Sequence, residues 1–115
     1  MTKRNQRVNQ VIRAQISQIL LKEFDFPLEI LVTITRVETS KKLRDCKIYV
    51  SVLPEKDSQK IINFLNRRSH FFYKKLRKIL KMKIIPDCHF KKEEKIQKAD
   101  RIEEILEKIK EEKQG

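Results

Sequence analysis

Nine basic side chains stand between residues 60 and 83, namely Lys60, Arg67, Arg68, Lys74, Lys75, Arg77, Lys78, Lys81 and Lys83, with no acidic residue among them. A solvated helix face normally mixes signs, so a run of one sign repels itself until a counter-charge arrives. The chemistry open to such residues is recognition of phosphate, in which ammonium and guanidinium groups displace the counterions of a polyanion. At about 100° per residue, Lys60, Arg67, Lys74, Lys78 and Lys81 fall on one side of a helix, with His70 and Arg77 beside them. Arg68, Ser69, His70 and Lys75 complete the candidate face, and Lys3, Arg4 and Arg7 extend it from the N-terminal segment. The charge is unevenly spread. Residues 58–98 hold thirteen bases against three acids, whereas residues 25–57 hold six of each, within a net charge of +12. A neutral stretch beside a strongly basic one points to a polyanionic partner rather than to a generally lysine-rich composition.

Other chemistry finds little support. His70 has no Ser, Cys or Asp nucleophile obviously paired with it, so it reads as a surface or phosphate-contacting histidine. Cys46, Cys88, His70 and His89 could make a two-Cys, two-His set, but no pair has finger-like spacing, and Cys88 and His89 would point to opposite faces of a strand. No metal site is expected, and the cysteines read as small buried hydrophobes. There is no HExxH and no glycine-rich phosphate cradle; the single glycine is Gly115. Neither an enzyme nor a cofactor is expected. No apolar run approaches a membrane span, and Met1–Gln6 leads into polar sequence, so the expected location is cytoplasmic. Docking on an anionic membrane surface would suit the charge but not the apolar faces, which are committed to covering a sheet.

The elements that must position these residues are legible from periodicity. With 115 residues and 39% apolar content, one domain spanning 1–115 is expected. From Arg4 to Phe24, Val8, Val11, Ile12, Ile16, Ile19 and Leu20 recur at helical intervals, and Asp25-Phe26-Pro27 should stop the helix. Residues 30–37 are rich in β-branched side chains, with Ile30, Val32 and Ile34 on one face. Val37 breaks that parity, which calls for a bulge near Thr35-Arg36 or for cover on both faces. Cys46, Ile48, Val50 and Val52 alternate cleanly in a second strand, which Pro54 ends. A long helix, capped by Asp57 or Ser58, is expected to run to about Met82 with Ile62, Leu65, Ser69, Phe72, Leu76 and Ile79 on its apolar stripe. Ile84–Phe90 reads as an edge strand, and residues from Ile96 as a weaker helix that frays over about 108–115. The order is helix, strand, strand, helix, strand, helix: an α+β domain.

Phe71 tests the long helix. In a straight helix it lies toward the basic side, where it could stack on an unpaired base; a kink at Arg68-Ser69-His70 would instead rotate it inward. Ser69, on the apolar stripe, can bend the helix through a bond to the preceding turn. Tyr49 and Tyr73 suit packing at the core edge better than base contact.

Several stretches together resemble the bacterial ribosome-binding factor A family: Arg7-Val8, Val32-Thr33-Ile34-Thr35-Arg36-Val37-Glu38-Thr39-Ser40, Leu43 with Lys47–Leu53, Leu65-Asn66-Arg67, Ile84-Ile85-Pro86-Asp87, and Arg101-Ile102 followed by Ile105-Leu106. The resemblance implies a type II KH-like fold. It also implies binding to the small (30S) ribosomal subunit and 16S rRNA during late rRNA processing, near the rRNA 5′ end and the decoding region, by a monomer off the ribosome. The family's KH-like domain has a kinked Ala-x-Gly where ordinary KH domains carry a GxxG clamp. Here that place holds Arg68-Ser69-His70; the turn usually written Ser-x-Asp-Leu is Ser40-Lys41-Lys42-Leu43, and Ala99 stands for a glycine. The alternative reading is a stand-alone KH-type binder of single-stranded RNA or DNA.

Overall fold

The computed structural model describes residues 3–94. The first helix, α1 (Lys3–Glu23), buries Ile12, Ile16, Ile19 and Leu20 along one stripe and stops ahead of Pro27, as the sequence predicts. Val11 departs from the expected stripe and is exposed. Strands β1 (Leu31–Thr39) and β2 (Asp45–Leu53) pair antiparallel, and β3 (Asp87–Lys92) joins the far side of β2 in parallel. The helices cover one face of this sheet, against Ile34, Val37, Cys46, Ile48, Val50, Val52, Cys88 and Phe90.

The parity break in β1 is a bulge. Ile34 faces Val50 and Arg36 faces Tyr49, leaving Thr35 as the extra residue. Val32 and Ile34 point to the core before it, Val37 and Thr39 after it. Thr35 Oγ1 donates to the Tyr49 carbonyl at 3.2 Å, so the bulged residue supplies a bond of its own. On the opposite face the Arg36 guanidinium lies 3.8 Å above the Tyr49 ring and bridges Glu38 (2.6 Å) and the buried Glu93 (3.2 Å). Tyr49 therefore packs at the sheet, its phenol pushed up in pKa by burial and by Glu38.

The β1–β2 turn is built on Ser40, whose Oγ accepts the amides of Arg44 and Asp45, each at 3.1 Å. Leu43 has φ 59°, the left-handed region that costs a leucine about 1 kcal/mol. Its side chain is buried, and that burial offsets the strain.

The long helix is broken in two, with the kink near Arg68-Ser69-His70 that rotates Phe71 inward. A 3₁₀ turn (Glu55–Asp57) leads into α2 (Ser58–Asn66), and after Arg67-Arg68 the chain restarts as α3 (Ser69–Ile79). Neither Asp57 nor Ser58 caps α2 with a side-chain bond: Asp57 is already helical (φ −91°, ψ −2°) rather than in the extended conformation a cap residue adopts, and the buried Ser58 hydroxyl has no partner among the described residues. The break comes before Ser69, which begins α3. At its centre the Arg68 amide donates to the Leu65 carbonyl, three residues back, at 3.0 Å. Asn66 holds it in place by treating β3 as a strand would, its Nδ2 donating to the Phe90 carbonyl at 3.0 Å and its Oδ1 accepting the Phe90 amide at 2.8 Å. The end of α2 is thereby tied to the sheet's edge.

With the break in place, Phe71 turns inward. All six phenylalanines form one network: Phe24 touches Phe26, Phe64, Phe71 and Phe72 at centroid distances of 5.5 to 6.1 Å, and Phe72 reaches Phe90 at 4.9 Å. The base-stacking alternative for Phe71 is thus not the one realised. Ile79, expected on the apolar stripe, is partly exposed at the end of α3, and Leu80 is extended, so neither Lys81 nor Met82 is helical.

Strand β3 starts at Asp87 rather than Ile84, because Pro86 has no amide to enter the ladder while the Asp87 amide donates to the Arg44 carbonyl at 2.9 Å. Cys88 and His89 do face opposite sides, and Cys88 lies in register with Cys46. The expected helix from Ile96, its frayed end and Ala99 lie outside the described residues. Among the described residues no helix is long and apolar enough to cross a membrane.

Two substitutions probe this frame. Phe72→Ala removes a fully buried ring common to three elements and should cost about 3 to 5 kcal/mol, whereas the fully exposed Leu28→Ala should stay within about 0.5 kcal/mol in urea unfolding. Asn66→Ala should cost about 1 to 2 kcal/mol, and Asn66→Asp at neutral pH at least as much, since a carboxylate cannot donate to the Phe90 carbonyl.

Candidate nucleic-acid interface

Neither α2 nor α3 contains an acidic residue, and their apolar stripes are spent on the core through Ile61, Ile62 and Leu65 on the one and Phe72 and Leu76 on the other. What faces outward is basic on α3, while on α2 Lys60 stands among the neutral Gln59, Asn63 and Asn66. His70, Lys74 and Lys78 stand four residues apart along α3 and are exposed, with Arg77 beside them; Lys60 and Arg67 are exposed on α2 and its terminal turn. The break leaves Lys60 and Arg67 before it and His70, Lys74 and Lys78 after it, and Lys81 stands beyond the helix.

Three of the predicted residues have local roles as well. The Arg68 guanidinium lies 3.6 Å over the Phe64 ring and donates through Nη1 to the Phe64 carbonyl at 3.1 Å. It closes the end of α2 and shields the aromatic network while its charge stays at the surface. Lys75 Nζ pairs with Glu23 at 2.7 Å and sits 5.5 Å from the Phe71 ring, linking α3 to the end of α1. It is the least accessible of the candidate lysines. Ser69 is half-buried at the first turn of α3, and the His70 ring lies parallel to Tyr73 at 6.3 Å.

Lys3, Arg4 and Arg7 are exposed on the opening turns of α1, and the fold brings one of them to the far end of the basic region. Arg4 and Lys81 line one cleft together with Lys41, Lys42 and Lys83. These last three lysines do not belong to the candidate face that the sequence predicts. The signal available for two of them is the basic Ser40-Lys41-Lys42-Leu43 turn, where the resembling family carries an acid.

The two cysteines and His89 are engaged elsewhere. Cys46 and Cys88 place their sulfurs 3.9 Å apart in the core; that contact and burial push the Cys46 thiol up, away from a reactive thiolate. His89 Nε2 lies 3.1 Å from Asp45 Oδ1 in an exposed pair. Among the described residues no group of three or more His, Cys, Asp or Glu could hold a metal ion.

Comparison with known proteins agrees with this picture. The family model described as ribosome-binding factor A matches residues 4–106. A ribosome-binding factor A of Thermodesulfovibrio yellowstonii is 34% identical over 108 residues, covering 94% of this chain and 92% of that protein. The crystal structure of ribosome-binding factor A from Thermus thermophilus superposes with a TM-score of 0.67 at 18% identity, covering 76% of this chain and 94% of that one. A homology model of the Thermus thermophilus factor, as fitted into the cryo-EM map of a 30S complex of that factor, superposes with a TM-score of 0.57 at 17% identity, covering 80% and 93%. The structural likenesses bear on fold, and the fold is the KH-like α+β domain. With a family model matched along nearly its whole length and a relative this similar, the chain belongs to the ribosome-binding factor A family.

Proposed function

We propose that this protein binds the small (30S) ribosomal subunit through the phosphates of 16S rRNA and assists late maturation of that RNA without doing chemistry itself. The observation that carries the reading is the acid-free basic face of α2 and α3 on a KH-like domain of this family. The 30S complex of the Thermus thermophilus factor supports the choice of partner. The contacts proposed are Lys60, Arg67, Arg68, Ser69, His70, Lys74, Lys75, Lys78 and Lys81, with Lys3, Arg4 and Arg7 reaching the RNA from α1. Phosphate contacts position a protein on RNA and carry no sequence information, so selectivity for the subunit arises from the shape of the folded rRNA. The chain acts as a single domain of residues 1–115, in the cytoplasm, as a monomer off the ribosome and without a cofactor. A non-catalytic role is supported by cysteines buried against each other in the core.

Co-sedimentation with isolated small subunits, large subunits and assembled ribosomes at moderate salt tests this. Retention on small subunits alone is expected; equal retention on all three would favour a stand-alone KH-type binder of single-stranded nucleic acid. The pair Lys74→Glu and Lys78→Glu should weaken small-subunit binding by roughly tenfold or more. Each phosphate that the variant no longer neutralises should flatten the log-log salt dependence by roughly 0.7 to 0.9. Unchanged affinity with an unchanged slope would remove α3 from the interface.

A further inference from the structure

The cleft between the start of α1, the β1–β2 turn and the segment after α3 has a volume of about 630 Å³, within the range of sites for nucleotide-sized groups and larger than a lone ion requires. Its lining is Arg4, Asn5, Lys41, Lys42, Leu43, Lys81, Met82, Lys83 and Ile84, five cations and no carboxylate. Three separate parts of the chain supply those cations, and the fold holds the parts in place. Asn5 is buried and donates through Nδ2 to the Ser40 carbonyl at 3.1 Å and to Thr39 Oγ1 at 3.2 Å, while the Thr39 amide donates to Asn9 Oδ1 at 3.1 Å. These bonds fasten the first turns of α1 to the turn that bears Lys41 and Lys42. Leu43, in its left-handed conformation, drops its side chain inward and leaves the two lysines exposed. The first turn of α1 contains no acid, although the positive end of a helix dipole favours one. The cleft thus gathers five cations around a strained turn and a buried asparagine.

Its position indicates which anion. Lys78 lies in the last turn of α3, and Lys81, three residues on, already lines the cleft, so one short segment of chain separates the basic face of α3 from it. We infer that this cleft is a second phosphate site, in which Lys41 and Lys42 hold the sugar-phosphate backbone of an RNA strand that continues past Lys81 from α3. The inference rests on the RNA-binding reading above and adds to it a contact region on the opposite side of Lys81 from α2. Lysine ammonium groups act as point charges, so the cleft grips backbone irrespective of base.

The test is binding of the full chain to isolated small subunits and to a single-stranded RNA, each across a salt series, with the pair Lys41→Glu and Lys42→Glu. Both residues are exposed, so the fold is retained. The pair Lys47→Glu and Lys91→Glu, on the outer sheet face, makes the same charge change elsewhere. The cleft pair should lower affinity for both RNAs by roughly tenfold, with a salt slope flatter by roughly 0.7 or more, and Lys41→Arg with Lys42→Arg should restore it. The outer-face pair should cost much less. An unchanged affinity and slope in the cleft pair, while the α3 pair still weakens binding, would overturn the cleft and leave the α3 interface standing. Equal losses from the cleft and outer-face pairs would also overturn it, as an effect of net charge alone. Silence of both the cleft and α3 pairs would bring down the RNA-binding reading together with this one. Titration with inorganic phosphate, followed by amide shifts of residues 40–43, separates the sources of the anion: saturation at low millimolar phosphate with no RNA effect would identify a free-phosphate site and overturn the inference.

Discussion

Everything exposed on this molecule depends on one packed network of aromatic rings. Phe24, just past the end of α1, is flanked by Phe26, Phe64, Phe71 and Phe72, and Phe72 carries the contact on to Phe90 in β3. The network joins the first helix, both halves of the broken one and the edge strand. It also sets how much unbalanced charge the surface can bear. Two like charges about 6 Å apart in water repel by roughly 0.7 kcal/mol before salt screening, so a row of lysines on α3 costs a few kcal/mol at most. Burial of a single large ring such as Phe72 is of that same order. A small domain can therefore hold an acid-free face ready for a polyanion because burial of a few large side chains on the opposite side, aromatic and aliphatic together, offsets the repulsion.

Where local pattern and final structure agree, the determinant lies within a few residues. Val37 breaks the alternation of β1, and a bulge at Thr35 restores every inward residue on both sides of it; β2 buries Cys46, Ile48, Val50 and Val52 as their alternation requires. Where they part, the determinant is distant in sequence. Asn66 ends α2 because its amide finds the backbone of Phe90, twenty-four residues away, and no helical pattern encodes that partner. Cys46 and Cys88 are each recognisable as buried, but that their sulfurs meet follows only from the parallel register of β2 and β3. Asp57 has the composition of a cap and not its geometry, since the preceding 3₁₀ turn has already set it helical.

The same division runs through the candidate interface. Charge is a property of residue type, so the basic character of α2 and α3 can be read directly. Which bases share a surface depends on the break and on the turn. Arg68 and Lys75 are drawn partly into structural work on Phe64 and Glu23, while Lys41, Lys42 and Lys83, separated by some forty residues, come to line one cleft. The basic residues accordingly fall into two groups, one on the helices and one around the cleft that Lys81 lines.

The break between α2 and α3 explains how this chain departs from the family's Ala-x-Gly while keeping the feature. A glycine is favoured where the backbone must adopt positive φ, and among the described residues only Leu43, outside the break, does so. Arg68, at φ −107° and ψ 19°, is in a conformation open to any L-residue. The helix stops because Asn66 is held by the edge strand and restarts with the Phe72 amide on the Arg68 carbonyl, so the constraint comes from tertiary contacts and the residues in the break are free to vary. Arg68 and His70 then do what alanine and glycine cannot: one covers Phe64 with a guanidinium, the other begins the outward row that Lys74 and Lys78 continue. The kink is kept by packing, and the side chains within it become available for charge.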